Sequence, residues 1–171
     1  MSAADRSRRA CGWHRLTDEW AARVVAAARV RPGELILDIG AGNGALTVHL
    51  VRAGARVVAV EPHPGRASVL AERFPDITVL RMGAAELRLP SRPFRVVANP
   101  PFALTATLLD LLLTPDSMLV GADLVLQRAV VRKVRARPAR RFRFAAGMAL
   151  PRHAFVPPPR VDSAVLVVRR R

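Results

Sequence analysis

The segment between Leu35 and Glu61 constrains the fold more than any other stretch of the chain. Leu35–Ile39 is an apolar run with one acid, and it leads directly into Gly40-Ala-Gly-Asn-Gly44. An apolar run that ends in glycines predicts a buried strand followed by a tight turn. A helix over residues 45–52 and a second strand over 56–60 are predicted next, and the second strand closes with Glu61. Two strands joined through a helix are expected to lie parallel in one sheet.

The rest of the chain continues this alternation. Further strands are predicted over residues 77–80, 94–97, 119–126, 144–150 and 161–168, and further helices over 17–31, 64–73, 105–113 and 127–136. The last two strands are joined by a short connection, so we expect them to be antiparallel. The sequence therefore predicts one α/β, Rossmann-like domain, with a mostly parallel seven-stranded sheet and a C-terminal antiparallel hairpin.

The charge of the chain points to a polyanionic partner. It carries 28 Lys and Arg against 13 Asp and Glu, which gives a net charge of +15. Lys133 is its one lysine, so nearly all of the positive charge is arginine. Arginine binds phosphate through two N–H groups and stacks on bases, which makes nucleic acid the first candidate. A surface of arginines that face only solvent is the alternative.

Composition argues against several other classes of protein. The one cysteine, Cys11, excludes an internal disulfide and fits a reducing compartment. The four histidines share no ligand-like spacing with one another or with Cys11, so no metal site is expected. No apolar run reaches the roughly 18 residues of a membrane span, and the basic N-terminus lacks the apolar stretch of a signal peptide. A soluble, cytoplasmic and monomeric protein is expected.

A second constraint is the stretch Phe94-Arg-Val-Val-Ala-Asn-Pro-Pro-Phe102. Asn99 stands where the predicted strand ends, and Pro100 and Pro101 have no backbone N–H, so the chain leaves the sheet in a rigid turn. Phe102 follows that turn. Ligands bind at the carboxyl ends of strands in open α/β sheets. An amide, a stiff carbonyl and an aromatic face in that place indicate a site for a flat molecule with an amino group.

The glycine turn has a known counterpart. With Asp38 before it and Glu61 at the end of the next strand, it resembles the first signature of class I S-adenosylmethionine-dependent methyltransferases. An acid in the position of Glu61 can accept hydrogen bonds from both ribose hydroxyls. S-adenosylmethionine is therefore the expected cofactor. An NAD or flavin site, and a turn that binds nothing, are the alternatives.

Asn99-Pro-Pro-Phe102 is similar to the (Asn/Asp/Ser)-Pro-Pro-(Tyr/Phe) motif of amino-methyltransferases. The amine of adenine is a poor nucleophile because its lone pair is delocalised into the ring. The Asn99 side-chain oxygen and the Pro100 carbonyl can accept its two N–H bonds and favour a pyramidal nitrogen, while Phe102 stacks on the extruded base. Positioning would then supply most of the catalysis. The alternative is a proline turn with Phe102 in the core.

The segment Phe155-Val-Pro-Pro-Pro-Arg-Val-Asp-Ser163 is the third motif. Together with the first two it resembles the ribosomal RNA adenine dimethyltransferase family, which includes the Erm macrolide-resistance enzymes and the KsgA housekeeping enzymes. The resemblance implies that Phe155 places a second aromatic ring near the target base; without it, Phe155 would be expected to pack against the sheet. It also implies a set of cofactor-binding residues: Leu16, Asp38, Gly40, Gly42, Gly44, Glu61, Gly83, Ala84 and Asn99.

Within the family, the segments at 13–20, 123–127 and 161–164 look most like short actinobacterial and mycobacterial Erm proteins. This implies methyl transfer to an adenine amine in 23S rRNA at the drug-binding exit tunnel, which blocks macrolides, lincosamides and streptogramin B. Modification of 16S rRNA, as by KsgA, is the close alternative. From another class, the chain could be an RNA-binding module that has lost catalysis.

Two positions depart from the family pattern. Trp13-His14-Arg15-Leu16 replaces the family's Gln-Asn-Phe-Leu, which lies along the cofactor, and only Leu16 is retained. Gly83 stands where the family usually has an acid that hydrogen-bonds the adenine of the cofactor. Glu86 is a possible substitute, although a surface role for it is the simpler expectation. Cofactor binding is therefore expected to be weakened.

The chain also stops at Arg171, just after the last predicted strand. The helical C-terminal RNA-binding domain of the family is therefore expected to be absent. This leaves a basic N-terminal arm over residues 1–16 and a catalytic domain over 17–171. Contacts with rRNA are then expected from the arm, from Arg132–Arg143 and from Arg169–Arg171.

Overall fold

The start of the described chain is held in place by a short strand. The structure is a computed structural model that describes residues 13–171, so residues 1–12 of the predicted basic arm lie outside the described residues. Arg15–Leu16 form strand β1, and helix α1 (Asp18–Ala28) begins two residues later. Thr17 caps this helix as predicted, because its hydroxyl oxygen accepts a hydrogen bond from the Trp20 backbone N–H at 3.5 Å.

Strands and helices then alternate along the chain. The strands are β2 (Leu35–Ile39), β3 (Arg56–Val60), β4 (Thr78–Leu80), β5 (Phe94–Ala98), β6 (Leu119–Gln127), β7 (Phe142–Leu150), β8 (Phe155–Val156) and β9 (Ser163–Arg170). The remaining helices are α2 (Thr47–Arg52), α3 (Pro64–Arg73), α4 (Thr105–Leu112) and α5 (Arg128–Arg135). Within residues 13–171, no helix has the length and apolar character that crossing a bilayer requires.

Seven strands form one sheet in the order β4-β3-β2-β5-β6-β9-β7. The first five strands of that order are parallel to one another. Strand β9 runs antiparallel to both β6 and β7. The predicted Rossmann-like sheet with a C-terminal antiparallel hairpin is therefore confirmed.

Alternate residues of the central strands enter two hydrophobic cores. Val96 and Ala98 of β5 pack in one core with residues of α4, whereas Val97 packs in the other with Leu16 and Leu50. Successive side chains of a strand point to opposite faces of the sheet. Both faces are thus covered, which explains why the central strands read as continuous apolar runs.

Arg95, near the start of β5, is a buried charged residue that takes part in a network of ion pairs. The Arg95 guanidinium lies 3.0 Å from Glu34 Oε2 and 3.1 Å from Asp123 Oδ2, and it donates to the Ala28 carbonyl at 2.6 Å. Asp123 also pairs with Arg169 of β9 at 3.0 Å. A buried charge is tolerated only where it has partners. The network therefore ties α1 and three strands of the sheet together.

The C-terminal arginines belong to the sheet. The last strand was predicted to end at residue 168, but β9 continues to Arg170. Arg170 donates from Nε to the Leu119 carbonyl at 2.7 Å, and Arg171 donates to the Phe142 carbonyl at 3.4 Å. Arg169 is paired with Asp123, as described above. These guanidinium groups thus have partners inside the protein, although Arg171 is exposed, and the expected contact of Arg169–Arg171 with RNA stays a prediction.

Strands β1 and β8 form a separate two-stranded sheet that the sequence did not predict. They are antiparallel, with Arg15 opposite Val156 and Leu16 opposite Phe155. Two-residue strands are too short to show a hydrophobic periodicity, so no pattern in the sequence predicts them. The pairing brings the segment before Leu16 next to the loop that follows Phe155.

Candidate active site

The motif residues meet at one edge of the sheet, where the parallel strands end. Gly40 follows β2, Glu61 follows β3, Asn99 follows β5, and Gln127 is the last residue of β6. Since these strands are neighbours and parallel, their carboxyl ends lie side by side. The sequence motifs are therefore parts of one site.

The glycine turn needs its glycines for both conformation and space. Gly40, Gly42 and Gly44 have φ angles of 77°, 60° and 96°, a region that side chains rarely adopt. A Cβ on Gly40 would lie 3.1 Å from Pro101 Cδ and 3.4 Å from Pro100 Cα. The glycine turn thus packs directly against the proline pair of the other motif.

Asp38 is a buried acid below the glycine turn, only 1% exposed. It accepts a hydrogen bond from the Thr47 hydroxyl, with 2.7 Å between the oxygens. Burial raises the pKa of the Asp38 carboxyl to about 7; the hydrogen bond from Thr47 opposes this rise, and the nearby Glu61 carboxylate adds to it. A cation that reached Asp38 would therefore favour the loss of its proton.

Glu61 is also buried, and its oxygens already have partners. Oε2 accepts the Gly42 backbone N–H at 2.9 Å, while Oε1 accepts the His63 backbone N–H and Arg66 Nε, each at 3.0 Å. A carboxylate has about four acceptor positions. Glu61 is therefore placed where an acid can receive ribose hydroxyls, but Arg66 holds part of that capacity.

Trp13 covers the glycine turn. A Cβ on Gly42 would lie 3.1–3.5 Å from atoms of the Trp13 indole, and the Arg66 guanidinium sits 5.0 Å from the centre of the same ring. A small cleft remains beneath, which we call the glycine cleft; it has a volume of about 20 Å³. Residues along it include Trp13, Leu16, Asp38, Gly40, Ala41 and Asn99. No pattern in the sequence indicates the cation–π contact between Trp13 and Arg66, because it depends on tertiary structure.

Asn99 is half-buried and lines the glycine cleft, so it is not walled off from the glycine turn. Its Nδ2 donates a hydrogen bond to the His14 backbone carbonyl at 2.8 Å. A carbonyl can only accept, so this bond sets which way the amide faces. Within residues 13–171, no hydrogen bond is made to Asn99 Oδ1, which leaves that oxygen as an acceptor.

A second, larger cavity is lined by Phe102 of the same motif. We call it the proline pocket; it has a volume of about 520 Å³, and its lining includes His14, Phe102, Gln127, Pro157, Pro159 and Arg160. The ring centres of His14 and Phe102 are 5.7 Å apart. Pockets of this size and mixed polarity hold small organic ligands. The pocket brings the second and third sequence motifs together, as predicted.

Phe155 does not line either cavity. Its side chain is 1% exposed and packs in a hydrophobic core with Leu16, its partner across the β1–β8 pair. Its position agrees with the packing alternative, and the expected contact between Phe155 and a target base stays a prediction. The prolines that follow it, rather than the ring itself, reach the proline pocket.

The other expected cofactor residues lie around the glycine cleft or beside it. Leu16 is buried at its floor. Gly83 and Ala84 follow β4, which neighbours β3, the strand that Glu61 follows. Gly83 has a φ of −80°, and a Cβ there would meet only Glu86 Oε1, at 3.9 Å, among the described residues. An acid would fit at position 83 without strain.

Two further expectations concern metals and RNA. Within the part of the chain that the structure describes, no cluster of three or more His, Cys, Asp or Glu could hold a metal ion.

The basic residues of α5 are exposed, and within residues 13–171 the side chains of Arg132, Lys133 and Arg135 make no hydrogen bond or ion pair. Arg141, by contrast, donates to the carbonyls of Thr114 and Pro115. Arg137, Arg140 and Arg143 are likewise exposed and without a side-chain partner among the described residues, so Arg141 is the exception in a basic surface that runs from the helix to Arg143.

Comparison with known proteins shows the family of this chain. The profile of the family described as ribosomal RNA adenine dimethylase matches residues 5–171. The chain belongs to this family. Among curated relatives, an rRNA methyltransferase of Streptomyces thermotolerans is 38% identical, over 99% of this chain and 61% of the relative. Ribosomal RNA small subunit methyltransferase A of Thermosynechococcus vestitus is 34% identical, over 96% of this chain and 70% of the relative.

Solved structures agree with this membership. The 23S rRNA methyltransferase ErmE matches with a TM-score of 0.81 and 31% identity, over 91% of this chain and 69% of that one. A dimethyladenosine transferase from Plasmodium falciparum matches with a TM-score of 0.80 at 20% identity, over 91% of this chain and 62% of that one, and shows the shared fold. The chain spans 61% and 65% of the first two curated relatives that it matches. Whether it acts without a further C-terminal domain stays a prediction.

The donor set of the site fits the S-adenosylmethionine that the family implies. Glu61 is a buried acid at the end of β3, Asp38 is a buried acid beside the glycine turn, and Gly40 and Gly42 let the backbone approach a ligand. The free space is smaller than such a ligand, because Trp13 lies over Gly42. Arg66 occupies one of the acceptor positions that Glu61 would offer to ribose hydroxyls.

We expect the affinity for S-adenosylmethionine to rise with pH up to about 7 and then level off. The cofactor's ammonium group would favour the charged Asp38 carboxylate, whereas the free protein holds this acid protonated below its raised pKa of about 7. Binding below pH 7 then requires a proton to leave, so the Kd should be about tenfold weaker at pH 6 than at pH 8. Calorimetry at several pH values measures this. Asp38→Asn should flatten the profile; an unchanged slope in that variant would contradict the assignment.

Phe155→Ala should lower the free energy of unfolding by about 3–5 kcal/mol, as for other aromatic residues removed from a core. Phe155→Leu keeps most of the apolar volume and should retain methyl transfer at a temperature where it is folded. Denaturant unfolding and a methyl-transfer assay on the same samples separate the two effects. A stable Phe155→Leu protein without transfer would restore the idea that this ring contacts the base.

Gly83→Asp should strengthen binding of S-adenosylmethionine, because it supplies the acceptor that the family usually has at this position. One added hydrogen bond is worth about 0.5–3 kcal/mol, or roughly 2- to 100-fold in Kd. Gly83→Ala is the matched control, since it changes the backbone freedom without adding an acceptor. Calorimetry compares the three proteins, and equal Kd values for both variants would refute the alignment of this position.

Proposed function

We propose that the protein methylates the exocyclic amine of an adenine in ribosomal RNA, with S-adenosylmethionine as the donor. The observation that carries the proposal is that Asn99 lines the glycine cleft while Phe102, three residues further in the same motif, lines the proline pocket. An amine held at Asn99 would thus be close to both a cofactor site and a base site.

The residues around Asn99 suit this reaction. S-adenosylmethionine, when bound, supplies a methyl group activated by a positively charged sulfur. The bond from Asn99 Nδ2 to the His14 carbonyl leaves Oδ1 to accept one N–H of the amine. The Pro100 carbonyl is the expected acceptor for the other N–H, and Phe102 offers a face on which a base can stack. The protein's part is to orient the amine, so no strong base is needed.

The surroundings of the proline pocket suit an RNA strand. Helix α5 begins directly after Gln127, which lines the pocket, and it presents exposed Arg128, Arg132 and Lys133. Arg160 stands at the pocket itself. Phosphates that flank an extruded nucleotide would meet these cations. This surface supports a polynucleotide substrate rather than a free nucleoside.

We favour 23S rRNA as the substrate, which would give resistance to macrolides, lincosamides and streptogramin B. The likeness of three segments to short Erm proteins supports this choice, and so does the 31% identity with the 23S rRNA methyltransferase ErmE. The 34% identity with a small subunit methyltransferase keeps 16S rRNA as the second candidate. The two substrates require the same chemistry at Asn99, so the test has to include both.

Labelled methyl transfer from S-adenosylmethionine to 23S and 16S rRNA fragments tests the proposal. We expect transfer to an adenine N6 of the 23S fragment, identified by mass spectrometry of the digested RNA. Asn99→Ala removes an acceptor that acts in the transition state and should lower the rate by about 100-fold or more. Asn43→Ala is the matched control, because Asn43 also lines the glycine cleft but has no part in holding the amine.

Each result has a distinct meaning. Transfer to the 16S fragment alone would select the second candidate. RNA binding without any transfer, in the presence of bound cofactor, would indicate a module that has lost catalysis. An Asn99→Ala protein as active as Asn43→Ala would refute the proposed role of the amide.

A further inference from the structure

His14 joins the three parts of the site. Its backbone carbonyl accepts the Asn99 Nδ2 hydrogen bond at 2.8 Å. Its imidazole Nδ1 lies 2.7 Å from the Pro157 carbonyl oxygen, and its ring centre lies 5.7 Å from that of Phe102, at an interplanar angle of 33°. One residue of the N-terminal segment therefore touches both proline motifs.

The contact with Pro157 fixes the form of the imidazole. A carbonyl oxygen only accepts hydrogen bonds, so His14 Nδ1 has to carry a proton. The bond joins residues 143 positions apart in the chain, and it holds the ring on the wall of the proline pocket. The ring in turn limits the orientations open to Phe102, because tilted aromatic neighbours at this distance attract each other.

The side chain and the backbone of His14 have separable roles. Asn99 is held by the carbonyl, which every residue at position 14 would supply. The imidazole instead sets the distance between Phe102 and the loop that begins at Pro157. Replacing the side chain therefore disturbs the walls of the proline pocket while it leaves the partner of Asn99 in place.

We propose that the His14 imidazole is a positioning residue for the target base: it holds Phe102 and the Pro157–Pro159 loop at the spacing that receives a purine. The proposal rests on the proposed function, since the purine is the adenine to be methylated. A flat base needs two walls at a set separation to be held between them, and both walls of this pocket bear on the same imidazole. His14 acts through these neighbours and not by proton transfer.

Four variants separate the parts of this role. His14→Ala removes both contacts of the imidazole, His14→Asn keeps an N–H donor near the position of Nδ1, and His14→Phe keeps a ring without a donor. His153→Ala is the matched control, because His153 is exposed, packs beside Trp20 and is not part of the pocket lining. Melting temperatures establish that each protein is folded.

The measurement uses the rRNA fragment that wild type methylates, with 2-aminopurine in place of the target adenine. Its fluorescence reports a base that leaves the stack and enters the pocket. We expect His14→Ala to weaken formation of this state. On the unsubstituted fragment it should lower kcat/KM for methyl transfer by about 10- to 100-fold, as for the loss of one hydrogen bond and one aromatic contact. The Kd for S-adenosylmethionine should stay unchanged. His14→Asn and His14→Phe should each recover part of the loss, and they replace His14→Ala if that variant does not fold.

A second measurement does not depend on methyl transfer. Long-range ¹⁵N spectra of the free protein should show the proton of the His14 ring on Nδ1. Adenosine 5′-monophosphate, used as a probe of the pocket, should shift the His14 ring signals, whereas those of His153 should not move. Uridine 5′-monophosphate should shift the His14 signals less, because its smaller pyrimidine ring makes fewer contacts with the two walls of the pocket.

The outcomes distinguish this inference from the proposed function. If wild type methylates the fragment and His14→Ala matches His153→Ala in both assays, the role of His14 is refuted and the function stands. If wild type shows no methyl transfer, and adenosine 5′-monophosphate still shifts the His14 signals, the pocket is as described and the proposed function fails. A proton on Nε2 in the free protein, or a loss confined to cofactor affinity, would also overturn the role given to His14.

Discussion

The contact between Gly40 and the proline pair sets the geometry on which the rest of the site depends. A Cβ at Gly40 would lie 3.1 Å from Pro101, so the two turns approach as closely as their backbones allow. One turn carries the glycines beside the buried acids, and the other carries Asn99, which we propose to hold the amine. Their separation is set by backbone packing between rigid turns, and flexible side chains have little influence on it. A reaction that relies on alignment gains most from such a constraint.

Two buried acids give this edge of the sheet its electrostatic character. Asp38 and Glu61 are 1% and 3% exposed. Burial is the main cause of the raised pKa of Asp38, and the Glu61 carboxylate adds to it. Glu61 itself accepts three N–H donors, one of which is the positively charged Arg66. This explains how so small a cleft can contain so polar a set of residues.

The sequence predicted most of the fold, because long apolar runs such as Leu35–Ile39 show burial on both faces directly. It also placed Asn99 and Glu61 correctly at the ends of their strands. It did not reveal the burial of Phe155, since a motif residue next to prolines gives no sign that a two-residue strand draws its ring into the core. Nor did it reveal the ion pair of Arg169 with Asp123, which is 46 positions away. Contacts between distant segments leave no local pattern.

Trp13 and His14 are neighbours in the chain, yet one covers the glycine turn and the other bears on the proline pocket. β1 fixes the chain just after them, and the His14 carbonyl orients Asn99, so one short segment contacts both cavities of the site. A donor that displaced Trp13 would thereby bear on the orientation of Asn99, and any coupling between donor and acceptor would act equally in both directions.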